Sequence, residues 1–164
     1  MGNFSTTAFE TPLGYLFIRG DENAIYEISF YDDAVEVSKE TTAVVELCKT
    51  QLQEYFEKKR NQFDFPMNLL GTDFQKEVWD ELQAIPYGKT ISYKKLAENL
   101  GNVKKIRAAA SANGKNPIAI VVPCHRVIGA DGSMTGYASG VWRKKWLLEH
   151  EGAIAKEANQ LSLF

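Results

Sequence analysis

The apolar pattern of this chain changes period once, and that change constrains the fold more than any other feature. From Thr6 to Tyr31 the runs YLFIRG and AIYEISFY are aliphatic and aromatic, and the turn-forming clusters TPLG and GDEN bound them. This predicts two or three antiparallel strands. Helical spacing then takes over: Val44, Val45, Cys48, Leu52, Tyr55 and Phe56 fall on one face of a segment over residues 42–58. Cys48 sits among those core positions and reads as a structural thiol, since free cysteine is among the most buried residue types. Strands first and helices after describe an α+β chain. Its 164 residues suffice for one ordinary domain or two small lobes.

The segment QFDFPMNLLG has no strong periodicity and reads as a link between lobes, with a boundary after residue 68 that gives units 1–68 and 69–164. Thr72 and Gln75 are then spaced as a capping box, and Phe74, Val78, Leu82 and Ile85 form an apolar stripe that Pro86 ends. After the turn PYGKT, SYKKLAENL predicts a short helix capped by Ser92. Gly101 makes a sharp turn, and Asn102 caps a second helix through about Asn113. Helix, glycine turn and helix is the helix-turn-helix pattern, although two short helices joined at glycine occur in many helical domains. The second helix, VKKIRAAASAN, is alanine and serine through its middle, so it cannot make the bidentate contacts that specify a base sequence. Two readings stand: its backbone lies close against a groove, with Lys104, Lys105 and Lys115 on phosphates, or its alanines pack tightly against a neighbour. Farther on, IAIVV predicts a buried strand ending at Pro123-Cys124-His125-Arg126. A glycine-rich loop, GADGSMTGYASG, follows, and a last helix over 141–150 ends at Glu151-Gly152.

Charge is distributed unevenly. Residues 1–86 hold 7 Lys/Arg against 16 Asp/Glu, residues 87–145 hold 11 against 2, and residues 146–164 hold 1 against 3, for a total of −2. A basic block inside an acidic chain fits a phosphate-neutralising surface, or equally a lysine-rich solvated face. No apolar stretch is long enough to span a bilayer, and MGNFSTTAFE lacks the layout of a secretory signal. Met1-Gly2 with Ser5 and Thr6 does not rise above chance as an acylation signal. The expectation is a cytoplasmic protein with free thiols at Cys48 and Cys124.

Taken alone, Cys124 beside His125 is a weak candidate for nucleophilic chemistry, since such a pair is more often a structural thiol with a chance neighbour. Adjacent residues on an extended chain point to opposite sides, so direct contact between the two does not follow. The surrounding blocks narrow the choice. VVPCHRVIG, with NGKNPIAI before it and DGSMTGY and RKKWLLEHEG after it, resembles the signature of the O6-alkylguanine-DNA alkyltransferases. GTDFQKEVW, IPYGKTISYKKLA and the Arg107 helix extend the likeness, and TPLGYLFI and LQEYF carry it weakly into the first half.

The resemblance implies a ribonuclease H-like amino-terminal lobe and a mostly helical lobe with a winged helix-turn-helix. It implies Cys124 as alkyl acceptor, served by a relay in which Glu151 orients His125 and His125 draws the thiol proton through a water. Asn116 corresponds to the brace of the active-site turn, and Tyr93 to the donor that protonates the leaving guanine. Arg107 corresponds to the finger that replaces a flipped nucleotide, with Ala108, Ala109, Lys104, Lys105, Lys115, Arg126 and Ser92 on the DNA. Val127, Tyr137, Ala138 and Ala119 correspond to the base pocket. The implied partner is double-stranded DNA carrying O6-alkylguanine, bound through the minor groove without sequence specificity by a monomer.

The chemistry suits these residue types. Thiolate is the nucleophile, and an ordinary thiol near pKa ~8.5 needs a base to ionise at neutral pH. The thioether product cannot be exchanged by another thiol, so each molecule acts once. No cofactor is implied, and with only two Cys and two His a zinc cluster has no ligands apart from the active site. A non-enzymatic lesion binder would lack the cysteine, a transcription factor would not carry an alanine-faced reading helix, and a cysteine hydrolase would turn over repeatedly.

Overall fold

The computed structural model describes residues 3–155, so Met1-Gly2 and the chain after residue 155 lie outside the described residues. Strands β1 (Ser5–Thr11), β2 (Gly14–Gly20) and β3 (Ile25–Tyr31) form an antiparallel sheet in that order, where the sequence predicts strands. Gly14 closes the first hairpin at φ 98, and a Cβ there would lie 2.6 Å from the Tyr31 carbonyl oxygen. Leu16 and Ile18 of β2 and Ile28 and Phe30 of β3 turn inward against helix α1 (Ala43–Phe56), whose Val45, Cys48, Leu52 and Tyr55 are fully buried. Thr42 caps α1 by accepting from the Val45 amide.

Two segments expected to behave otherwise run along the free edge of β3. QFDFPMNLLG is held to the sheet, because the Ile25 amide donates to the Pro66 carbonyl at 2.9 Å and the Asn68 amide to the Ile25 carbonyl at 2.9 Å. IAIVV is not a strand. Ile118 alone bridges β3, through Ile28 to Pro117 and Ala119 to Ile28, each at 3.0 Å. Ile120 then enters the left-handed region at φ 72, an unusual conformation for a β-branched residue, and the chain turns back with Val122 donating to Ile118. β-branched composition matched a half-buried surface here, but local hydrogen bonding set the backbone.

The second half is helical. In α2 (Asp73–Gln83) both halves of the Thr72/Gln75 capping box are formed. Val78 and Leu82 are buried as predicted; Trp79, absent from the predicted stripe, is buried too and donates from Nε1 to the Ala112 carbonyl at 2.9 Å. Ser92 caps α3 (Tyr93–Asn99), Gly101 turns at φ 94, and Asn102 caps a 3-10 turn that runs into α4 (Ile106–Gly114). Strands β4 (Ile91–Ser92) and β5 (Val127–Ile128) pair in parallel. That pairing fastens the first residue of the helix-turn-helix beside the turn bearing Cys124. α5 (Val141–His150) ends with Glu151 as cap and Gly152 at φ 75. Among the described residues, no helix is long and apolar enough to cross a membrane.

Candidate active site

Cys124 opens a 3-10 turn, Cys124–Arg126, rather than closing a strand. Asn116 holds this turn from one side: its Oδ1 accepts from the Ile118 amide at 2.9 Å, and its Nδ2 donates to the Val122 carbonyl at 2.7 Å and to Cys124 Sγ at 3.2 Å. Asn113, which the sequence reading did not single out, donates from Nδ2 to the Cys124 carbonyl at 3.3 Å. Its place near the end of α4, facing inward, is the signal that would have found it.

His125 and Glu151 meet in the interior, Nε2 to Oε2 at 2.8 Å. Arg126 grips the same carboxylate with two bonds, Nε to Oε1 at 2.8 Å and Nη2 to Oε2 at 3.1 Å, and its Nη1 donates to the Ile85 carbonyl. Arg126 is therefore no phosphate ligand: a buried carboxylate needs a paired cation, and this guanidinium supplies it. Burial alone would raise the Glu151 carboxyl, but His125 and Arg126 together hold it far below the usual range. Burial lowers His125 and Glu151 opposes that, leaving the imidazole inclined to be neutral. Among the described residues, its Nδ1 has no hydrogen-bond partner, and neither do Asn113 Oδ1 and the Tyr137 hydroxyl.

Burial also pushes the Cys124 thiol up, against the Asn116 hydrogen bond and the charge of Lys144. Lys144 is a second residue that sequence reasoning missed. It is buried on α5, donates to the Thr135 carbonyl at 2.9 Å, and approaches the Tyr93 hydroxyl at 3.4 Å. Burial lowers it to about 8, with Cys124 opposing. Tyr93, the first residue of α3, donates to the Thr135 carbonyl at 3.0 Å; burial raises it, with Cys124 adding to the effect. Tyr137 lies beside the thiol without meeting hydrogen-bond geometry.

A narrow pocket of about 30 Å³ over Cys124 is lined by Asn113, Asn116, Ala119, Tyr137, Ala138 and Ser139, among others. Ala119, Tyr137 and Ala138, expected at a base pocket, are among the residues that line it. Val127 does not line this pocket; it is buried in β5 against Ile91. On α4, the packing reading holds for one face, and the opposite face is exposed. Ala109 and Ala112 are buried toward α2, so Ala109 is a packing residue and not a DNA contact, while Arg107, Ala108 and Ser111 face outward. Lys104 and Lys115 are exposed, and Lys105 lies over the Phe74 ring at 5.8 Å. Among the described residues, no group of three or more His, Cys, Asp or Glu side chains is placed to hold a metal ion.

A buried cysteine backed by a His–Glu pair and set beside a helix-turn-helix is the plan of a protein that does cysteine chemistry on DNA. Residues 5–69 match the family model described as 6-O-methylguanine DNA methyltransferase, ribonuclease-like domain, and residues 73–153 match that of its DNA binding domain. The chain belongs to the 6-O-methylguanine DNA methyltransferase family. A Methylated-DNA--protein-cysteine methyltransferase of Methanosarcina acetivorans is 43% identical over 150 residues, spanning 88% of this chain and 96% of the relative. One from Shigella flexneri is 55% identical over 105 residues, 63% of this chain and 61% of the relative. The crystal structure of Mycobacterium tuberculosis OGT in complex with DNA superposes with a TM-score of 0.81 at 38% identity, covering 96% of this chain and 98% of that one.

Proposed function

We propose that this chain repairs DNA by moving the alkyl group of O6-alkylguanine, and of O4-alkylthymine where it fits, onto Cys124, once per molecule. The observation that carries this reading is the buried His125–Glu151 pair next to Cys124, with the second imidazole nitrogen unclaimed among the described residues. Glu151 fixes the imidazole through Nε2, so Nδ1 is the atom left to draw the thiol proton through a water. The thiolate attacks the alkyl carbon, the carbon–oxygen bond breaks, and the electron pair leaves on the guanine. Tyr93 protonates that leaving base, and Lys144, whose Nζ donates to the Tyr93 hydroxyl at 3.4 Å, returns a proton to it. The S–C bond formed is a thioether, which ends the cycle.

Reaching a base inside a duplex requires turning its nucleotide out, at a cost of about a few kcal/mol, and Arg107 on the exposed face of α4 fills the gap. Ala108 lets the backbone approach the minor groove, and Lys104, Lys105, Lys115 and Ser92 meet phosphate without reading sequence. The protein acts as a monomer. The test is mass spectrometry after mixing with DNA containing O6-methylguanine. The Cys124 peptide gains one methylene unit in stoichiometric amount and Cys124→Ser gains nothing; transfer retained in that variant would place the acceptor elsewhere.

A further inference from the structure

We infer that Tyr55, on α1 of the sheet-bearing half, is a positioning residue of the proton relay. The inference rests on the alkyl-transfer reading above. The Tyr55 hydroxyl donates to Glu151 Oε2 at 2.6 Å, in the protein interior and across 96 residues of sequence. That oxygen is the one His125 uses. Oε2 thus takes three donors, from Tyr55, His125 and Arg126, while Oε1 takes Arg126 Nε. Arg126 and His125 both come from the turn that carries Cys124. Among the described residues, Tyr55 alone holds the carboxylate from the other half of the molecule, so it sets where Oε2 stands relative to that turn.

The tyrosine is itself firmly placed. Its side chain is fully buried, its ring packs edge-on against Phe56 and Tyr87 and tilted against Phe63 and His150, and its carbonyl is bonded by His150 Nε2 at 2.8 Å. A hydroxyl so held is a fixed dipole, and it does two things to Glu151. It restricts the carboxylate to the rotation that meets His125, and it withdraws charge from Oε2 so that the imidazole is less readily protonated. Among the described residues, the charged and titratable groups facing this carboxylate are His125 and Arg126 from the Cys124 turn, Tyr55 from α1, Tyr87 from the segment after α2 and Tyr137 from the loop before α5, while Lys144 of α5 faces the imidazole.

Tyr55→Phe keeps the ring and removes only the hydroxyl. Its single-turnover rate constant at saturating O6-methylguanine DNA falls about tenfold, with DNA affinity unchanged. Freed of that donor, Glu151 binds imidazolium more strongly, so the acidic limb of the rate profile moves up by about half to one pH unit. A purely structural tyrosine would lower thermal stability and leave both readouts alone. Leu52→Ala, one turn away and fully buried, supplies that control: it destabilises α1 without slowing transfer by the folded protein. A Tyr55→Phe protein with the wild-type rate constant and pH profile overturns the inference and leaves the alkyl-transfer reading standing. Wild-type protein that takes no alkyl group onto Cys124 overturns both.

Discussion

Arg126→Met separates the two roles this arginine has been given. In the structure the guanidinium is buried and makes three hydrogen bonds, two to Glu151 and one to the Ile85 carbonyl. Methionine fills similar volume but leaves Glu151 with only His125 and Tyr55, and leaves the carbonyl of Ile85 without its donor. Removing one partner of a buried ion pair costs about 3–5 kcal/mol. For a chain of this size that lowers Tm by roughly 6–20 °C. The sign of the pH dependence follows from Glu151, whose folded pKa is depressed. Such a group contributes stability above its unfolded value, about 4.3, and loses it as pH falls toward the folded value. The variant has less depression to lose, so the stability gap between wild type and Arg126→Met narrows below about pH 4. Urea unfolding followed by circular dichroism across pH 3–7 measures this, and DNA titrations at several salt concentrations complete the assay. The salt slope of DNA binding stays at the wild-type value for Arg126→Met but falls by about one unit for Lys104→Ala, the exposed lysine proposed to meet phosphate. A stability loss under ~1 kcal/mol together with a shallower salt slope would show that Arg126 is an ordinary phosphate ligand.

Two further substitutions probe the helix-turn-helix and the thiol. Ala109→Leu forces bulk into the closed α2–α4 contact and costs about 1–3 kcal/mol in urea unfolding, whereas Ala108→Leu on the outward face stays within about 0.5 kcal/mol; equal costs would refute the assignment of the two faces. Lys144→Met removes the cation beside Cys124, so the thiol ionises at higher pH. Iodoacetamide labelling of Cys124 then slows several-fold at neutral pH and recovers in alkali, and an unchanged labelling profile would show that Lys144 does not act on the thiol.

What the sequence made legible was local. The hairpin strands, the Thr72/Gln75 box, the Gly101 turn and the Glu151-Gly152 helix end all depend on residues a few positions apart, and each stands where its chemistry requires. The Asn116 brace and the His125–Glu151 pair were legible only through family resemblance, because nothing in their spacing brings positions 125 and 151 together. The misread basic residues share one cause, which is that burial cannot be read from charge or composition. Arg126, Arg143 and Lys144 were counted with a phosphate-binding block, yet all three are interior. Arg143 instead joins the Leu13 carbonyl, the Ser139 carbonyl and Asp32. IAIVV read as a strand because its side chains suit one, while the Asn116 bonds and the left-handed Ile120 turn it.

Burial of the nucleophile makes sense for a protein that acts once. An exposed, strongly ionised thiol would be consumed by any passing electrophile or oxidant, and each such event would remove a molecule permanently. Here the interior keeps Cys124 largely as thiol, while Asn116 and Lys144 offset part of that penalty. On the proposed reading, full activation requires a base route through Glu151 and His125, with the carboxylate fixed by groups from both halves of the chain. The narrow pocket over the sulfur admits little more than a small group as it stands. On the proposed reading, a flipped base has to displace the walls carrying Tyr137 and Ala138 to bring the alkyl carbon to the sulfur. Resting reactivity of Cys124 toward iodoacetamide is accordingly well below that of a free thiol at the same pH, and labelling at the free-thiol rate would break the link between burial and restraint.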